Sequence, residues 1–163
     1  MRAFVGVGSN LGDRWGNLAV AARLLRASGA VAVIRASRVW DTEPLGPPQP
    51  RYLNAVLEVE TQLQPRALLA LLHACEDAAH RRRDGGRWSA RTLDLDLLLY
   101  EDRIVDVPGL RVPHPGIASR AFVLAPLEEL APSLEVPGTG RTVSGLLQAL
   151  PFAGVVRVGL YPL

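Results

Sequence analysis

Apolar positions along this chain follow two different periods, and the switches between them mark its elements. Ala3-Phe4-Val5-Gly6-Val7 has the composition of a strand and runs into a cluster of turn formers from Gly8 to Asp13. Asp13 is placed to cap a helix whose apolar residues Leu18, Ala22 and Leu25 share one stripe, and Ser28-Gly29 ends it. Val31 to Trp40 is β-branched enough for a second strand. The segment Asp41 to Pro50 holds four prolines and one glycine, which predicts a long, stiffened loop. Tyr52 to Glu60 then alternates, with Leu53, Ala55, Leu57 and Val59 on one face and Tyr52, Asn54, Val56, Glu58 and Glu60 on the other. Pro65 suits a helix's first turn, and Leu68, Leu72, Cys75 and Ala79 carry the apolar stripe to about His80. After the charged, glycine-hinged stretch Arg81 to Arg87, Leu93 to Tyr100 returns to period two as a fourth strand.

The order β-α-β-β-α-β predicts an α+β chain with a ferredoxin-like, split βαβ core: an antiparallel sheet, two helices on one face, and the other face free for ligand. Beyond it a short C-terminal extension is expected, with strand pieces in Ile104 to Arg111, short helices at Leu124 to Ala131 and Val143 to Leu150, and a last strand at Val155 to Tyr161. No repeat or linker divides residues 1–163, so one domain is expected.

Composition changes this picture in one respect. All 18 positively charged residues are arginine, which excludes a P-loop lysine or a Schiff-base lysine. Work on phosphate then falls to arginine, backbone amides or a metal. The formal charge of +2 is too small to argue for nucleic acid. One cysteine, Cys75, and no apolar run of leader or membrane length fit a cytoplasmic, soluble protein with no membrane partner.

The densest chemistry lies in Arg91-Thr92-Leu93-Asp94-Leu95-Asp96-Leu97. On a strand, Asp94 and Asp96 point to the same face with their Cα atoms roughly 6.6 Å apart. Hard oxygen ligands in such a pair suit Mg²⁺, although a DxD pair is also what a solvated edge strand can carry. Just upstream stand Arg81, Arg82, Arg83, Arg87 and Arg91, interleaved with Gly85-Gly86 and Trp88. Arginine forks on phosphate beside a phosphate-bound metal favour phosphoryl-type transfer over a merely solvated basic loop. His73, Glu76 and His80 share one helix side, in a spacing that fits no standard zinc motif. Gly6-x-Gly8-x-x-x-Gly12 is a weak match to a dinucleotide fingerprint and reads better as glycines needed for packing and a turn.

Five strings together resemble the 6-hydroxymethyl-7,8-dihydropterin pyrophosphokinases of folate synthesis: Gly8-Ser9-Asn10-Leu11-Gly12, Thr42-Glu43-Pro44-Leu45-Gly46, Tyr52-Leu53-Asn54, Arg87-Trp88-Ser89-Ala90-Arg91-Thr92-Leu93-Asp94-Leu95-Asp96, and Val112-Pro113-His114-Pro115 with Arg120-Ala121-Phe122. The resemblance implies transfer of the β,γ-pyrophosphoryl group of ATP to the pterin hydroxymethyl oxygen, with AMP leaving. It implies that Asp94 and Asp96 hold two Mg²⁺ ions and that Arg81 and Arg91 complete the catalytic set by clamping phosphate. Tyr52 and Phe122 would sandwich the pterin, while Asn54, Thr42, Pro44 and Leu45 read its edge. On the ATP side it implies His73, Glu76, Arg81, Arg83, Trp88, Arg91, Leu97, Arg111, His114 and Arg120. His73 stands where glutamine is common in the family, Pro115 where some members carry tyrosine, and Asp84 where some carry a base. A monomer without a nucleic-acid partner is expected. The alternative class is a non-catalytic ferredoxin-like RNA-binding module, which would want bases and aromatics along the open face where this chain has acids.

Overall fold

The computed structural model describes residues 1–44, 48–81, 93–151 and 154–163. Along the chain run β1 (Arg2–Ser9), α1 (Arg14–Ala27), β2 (Val31–Ala36), β3 (Val39–Thr42), β4 (Tyr52–Thr61), α2 (Pro65–Arg81), β5 (Asp94–Tyr100), β6 (Val105–Val107), β7 (Leu110–Val112), α3 (Ala121–Leu130), β8 (Glu135–Val136), β9 (Arg141–Thr142), α4 (Val143–Gln148) and β10 (Val155–Gly159). The fold is mixed α/β. Its main sheet has the order β10-β3-β4-β1-β5, with β2 also on β4, and every pairing in it is antiparallel. Asp13 caps α1 as its side chain predicts, taking the Gly16 amide at 3.0 Å. No helix among the described residues is long and apolar enough to cross a membrane.

The expected second strand, Val31 to Trp40, is two strands. Ser37 interrupts it: its amide donates to the Val56 carbonyl at 2.9 Å, while its hydroxyl takes the Val56 amide at 2.9 Å and donates to the Arg38 carbonyl at 2.8 Å. A side chain thus stands in for a ladder acceptor, and the strand steps at that point.

On one face of the sheet α1 and α2 lay Leu18, Leu25, Leu68 and Leu72 over Ala3, Val5, Val7, Leu53, Leu57, Leu95 and Leu97. The other face is not free, as the alternation had suggested. The C-terminal part of the chain folds back over it, so that Leu124, Leu127, Val143 and Leu146 form a second core with Phe4, Val56 and Leu98. That covering explains why Val56 and Glu58, on the expected polar face of β4, are both buried. The same part of the chain supplies β10, which pairs with β3 and widens the sheet.

Glu58 shows how a charge survives under this cover. Arg35 Nη2 donates to its carboxylate at 2.8 Å and to the Leu130 carbonyl at 2.8 Å, and Arg2 Nη2 lies 3.4 Å from it. Burial pushes the Glu58 carboxyl up, but the Arg35 hydrogen bond and the two guanidinium charges outweigh it and hold the group below its ordinary value. A carboxyl lowered on folding contributes stability above its unfolded pKa, and the contribution fades as pH falls through the lowered value. Glu58→Gln is expected to cost about 1–2 kcal/mol at neutral pH. Urea unfolding of the two proteins across the acid range should show the difference closing as pH falls; a gap that stays constant down to acid would refute the linkage.

Candidate active site

The part of the second face that α3 leaves uncovered is built on β1, which pairs with β4 on one side and β5 on the other. Gly8 stands opposite Asn54 and Asp94, and Gly6 opposite Val56 and Asp96. Two glycines on the same face of the middle strand leave a trough free of side chains, walled by β4 on one flank and by the two carboxylates of β5 on the other. Gly6, Gly8, Asn54, Asp94 and Asp96 border one cavity of about 210 Å³. Thr42, Pro44, Tyr52, Arg120 and Phe122 complete its rim, and Val56 and Leu98 its apolar floor.

Asn54 is held in a fixed attitude. Its Nδ2 donates to Thr42 Oγ1 at 2.7 Å, and Thr42 pairs with Tyr52 across the β3–β4 ladder. Phe122 sits in the first turn of α3, and the Arg120 guanidinium lies 5.8 Å from the centre of its ring, within cation–π range. Pro126 in the same helix lacks the amide that would otherwise bond back to the Phe122 carbonyl.

A second cavity, of about 340 Å³, is bordered by His73, Asp96, Leu97, Arg111 and His114. Asp96 belongs to both cavities and is the point where they meet. His114 Nδ1 accepts the Gly116 amide at 3.1 Å, so the ring's proton sits on Nε2, the nitrogen free to donate. Burial lowers the His114 pKa and the Arg120 charge adds to that, against the opposing pull of Asp96. The net effect holds the imidazole pKa below its ordinary value. Arg111 Nε lies 3.2 Å from Asp106 Oδ1 in an exposed pair.

Glu76, expected on the nucleotide side, is tied to the sheet. Its Oε2 accepts the Leu95 amide at 2.9 Å, which ties α2 to β5 between the two aspartates. Burial raises its pKa, and Asp94 and Asp96 raise it further, against that hydrogen bond and His73. Of the other expected site residues, Leu45, Arg83, Trp88 and Arg91 and the side chain of Arg81 lie outside the described residues. The sequence reading missed Gly6 and Gly8 as site residues, and with them the floor residues Val56 and Leu98. Their signal was the glycine pair at period two on a strand, which that reading assigned to packing.

A flat slot with an amide on its edge, two adjacent carboxylates, and a second chamber meeting it at Asp96 suits the joining of two ligands, one planar and one rich in phosphate. Comparison with known proteins bears on which two. Residues 4–132 match the family described as 7,8-dihydro-6-hydroxymethylpterin-pyrophosphokinase. The 2-amino-4-hydroxy-6-hydroxymethyldihydropteridine pyrophosphokinase of Pseudomonas aeruginosa is 41% identical over 158 residues, covering 96% of both chains. That of Bacillus subtilis is 40% identical over 138 residues, covering 84% of this chain and 82% of its own. Among solved structures, an HPPK-DHPS of Plasmodium falciparum superposes with a TM-score of 0.72 at 13% identity, over 91% of this chain and 45% of that one, a likeness of fold.

Proposed function

The chain belongs to the 7,8-dihydro-6-hydroxymethylpterin-pyrophosphokinase family, and on that premise we propose how its site carries out the family's reaction. The protein transfers the β,γ-pyrophosphoryl group of ATP to the hydroxymethyl oxygen of 6-hydroxymethyl-7,8-dihydropterin in folate biosynthesis, releasing AMP. The observation that carries the assignment of the two cavities is the shared border at Asp96. The trough takes the pterin between Tyr52 and Phe122, with Asn54, Thr42, Pro44 and Leu45 at its edge. The outer chamber takes the nucleotide, along His73, Leu97, Arg111 and His114, with Arg81, Arg83, Trp88, Arg91 and Arg120 on the phosphates and Glu76 behind.

Asp94 and Asp96 fit Mg²⁺. Both open into one cavity, where two acidic side chains of the same strand face one space with hard oxygen donors. Two carboxylates completed by water and phosphate oxygens are the usual magnesium environment, and we take two ions to bind there. When bound, Mg²⁺ neutralises phosphate charge and lowers the pKa of the attacking hydroxyl. The chain's own residues do the remaining work. Asn54 and Thr42 orient the pterin so that its hydroxymethyl group faces β5. His114 donates from Nε2 toward phosphate, and Asp94 or Asp96 accepts the hydroxyl proton as the new bond from that oxygen to the β-phosphorus forms and the bond from the β-phosphorus to the AMP oxygen breaks. Positioning and charge neutralisation are most of what such a displacement requires.

We further read the core around β1, β4 and β5 as the ferredoxin-like arrangement, supported by the strand order. A monomeric, cytoplasmic enzyme without nucleic acid is the accompanying reading. An RNA-binding module is not favoured, because Asp94 and Asp96 on the open face repel a phosphate backbone. With ATP, Mg²⁺ and the pterin substrate, AMP and pterin diphosphate are expected in equal amounts by chromatography; ADP as the nucleotide product would overturn the reaction.

A further inference from the structure

We propose that Arg51 is a positioning residue for the pterin slot, fixing from outside the cavity the spacing between the edge at Thr42 and the wall at Tyr52. This rests on the reading of that slot given above. Arg51 immediately precedes Tyr52, and its guanidinium reaches back to both residues that flank Thr42. Nε donates to Asp41 Oδ1, Nη2 donates to the Asp41 carbonyl at 3.3 Å, and Nη1 lies 3.7 Å from Glu43 Oε1. The same Nη2 also donates to the Gly154 carbonyl at 3.1 Å, and that carbonyl accepts the Glu43 amide at 3.0 Å as well. One side chain thus gathers the end of β3, the start of the proline-rich loop and the turn that opens β10.

The seam is tight. Gly154 has φ of +76°, and a Cβ there would stand 2.6 Å from the Glu43 carboxyl carbon. The Arg51 carbonyl in turn accepts Arg14 Nη1 at 3.1 Å, which anchors the β4 side to α1. Inside this frame Thr42 pairs with Tyr52 and receives the Asn54 amide, so a shift of the Asp41–Glu43 segment moves the acceptor that aims Asn54. Arg51 itself borders neither cavity. Its side chain is 41% exposed, and ion pairs at such exposure add little to stability, so the consequence of losing it falls on slot geometry. A planar fork with five donors serves three carriers at once, whereas an ammonium on a flexible stem serves them one at a time.

Steady-state kinetics on Arg51→Ala and Arg51→Lys test this. Arg51→Ala is expected to raise KM for the pterin about tenfold while kcat and KM for ATP stay within about twofold, and Arg51→Lys to recover part of the loss. An unchanged pterin KM, an equal rise in both KM values, or a lysine variant no better than alanine would overturn the proposal. If Arg51→Ala does not fold, Asp41→Asn should show the same split at about threefold, and no split there overturns it equally. Asn54→Ala, run alongside, separates the two levels: a pterin KM that it leaves unmoved refutes the slot, whereas one moved by Asn54→Ala but not by the Arg51 variants refutes only the role of Arg51.

Discussion

Asp96→Asn is expected to lower kcat by about a thousandfold or more, equivalent to about 4 kcal/mol of transition-state stabilisation, while the thermal midpoint stays within about 2 °C. The size of the effect follows from where Asp96 stands. It alone among the described residues borders both the trough and the outer chamber, which on the proposed assignment puts it beside the phosphate that passes between them. Asparagine keeps the shape of the side chain and removes its charge, one oxygen ligand and one candidate proton acceptor together. The fold is indifferent to the change, because Asp96 is exposed and the leucines on either side of it carry the packing. Initial rates at saturating ATP and Mg²⁺, with calorimetry for nucleotide binding, separate the outcomes. Activity kept at high Mg²⁺ would remove the metal role from Asp96.

Gly8→Ala is expected to weaken pterin binding by about 10- to 100-fold, with ATP affinity unchanged. A Cβ at residue 8 would stand 2.8 Å from Asn54 Oδ1, closer than carbon and oxygen approach without something moving. The atom that moves is the end of a side chain, so the fold yields cheaply. The site does not, because swinging Asn54 away breaks its hydrogen bond to Thr42 and turns its amide out of register with the slot. Fluorescence titration with pterin, paired with nucleotide titration, measures both affinities. Equal loss of both, or no loss, would show that Asn54 does not read the pterin edge.

Much of this was legible in the chain because local period decides which side chains share a face. Alternation put Tyr52 and Asn54 on one face of β4, and the spacing of Asp94 and Asp96 put both on one face of β5. The five-string resemblance identified the chemistry. What escaped were relations between distant segments. Val56 and Glu58 read as polar-face positions because the helix that buries them lies some seventy residues downstream, and no local pattern announces it. Ser37 breaks a β-branched run through a bond to Val56, not through any breaker residue. Gly8 matters only through its register with Asn54, and Arg51 only through the approach of Gly154 from the far end of the chain.

The central place of β1 also sets an order of assembly. Strand β1 pairs with Glu60 at one end of its β4 ladder and with Tyr100 in β5, and the second face of the sheet is covered by α3 and α4 together. Such non-local pairing delays sheet closure, and it leaves β1 without its second neighbour until β5 has been added. The trough therefore requires β4, β1, β5 and the residues around Phe122 to be in place together. Substrate can hold the finished sheet together by mass action, but it has nothing to bind on the way there.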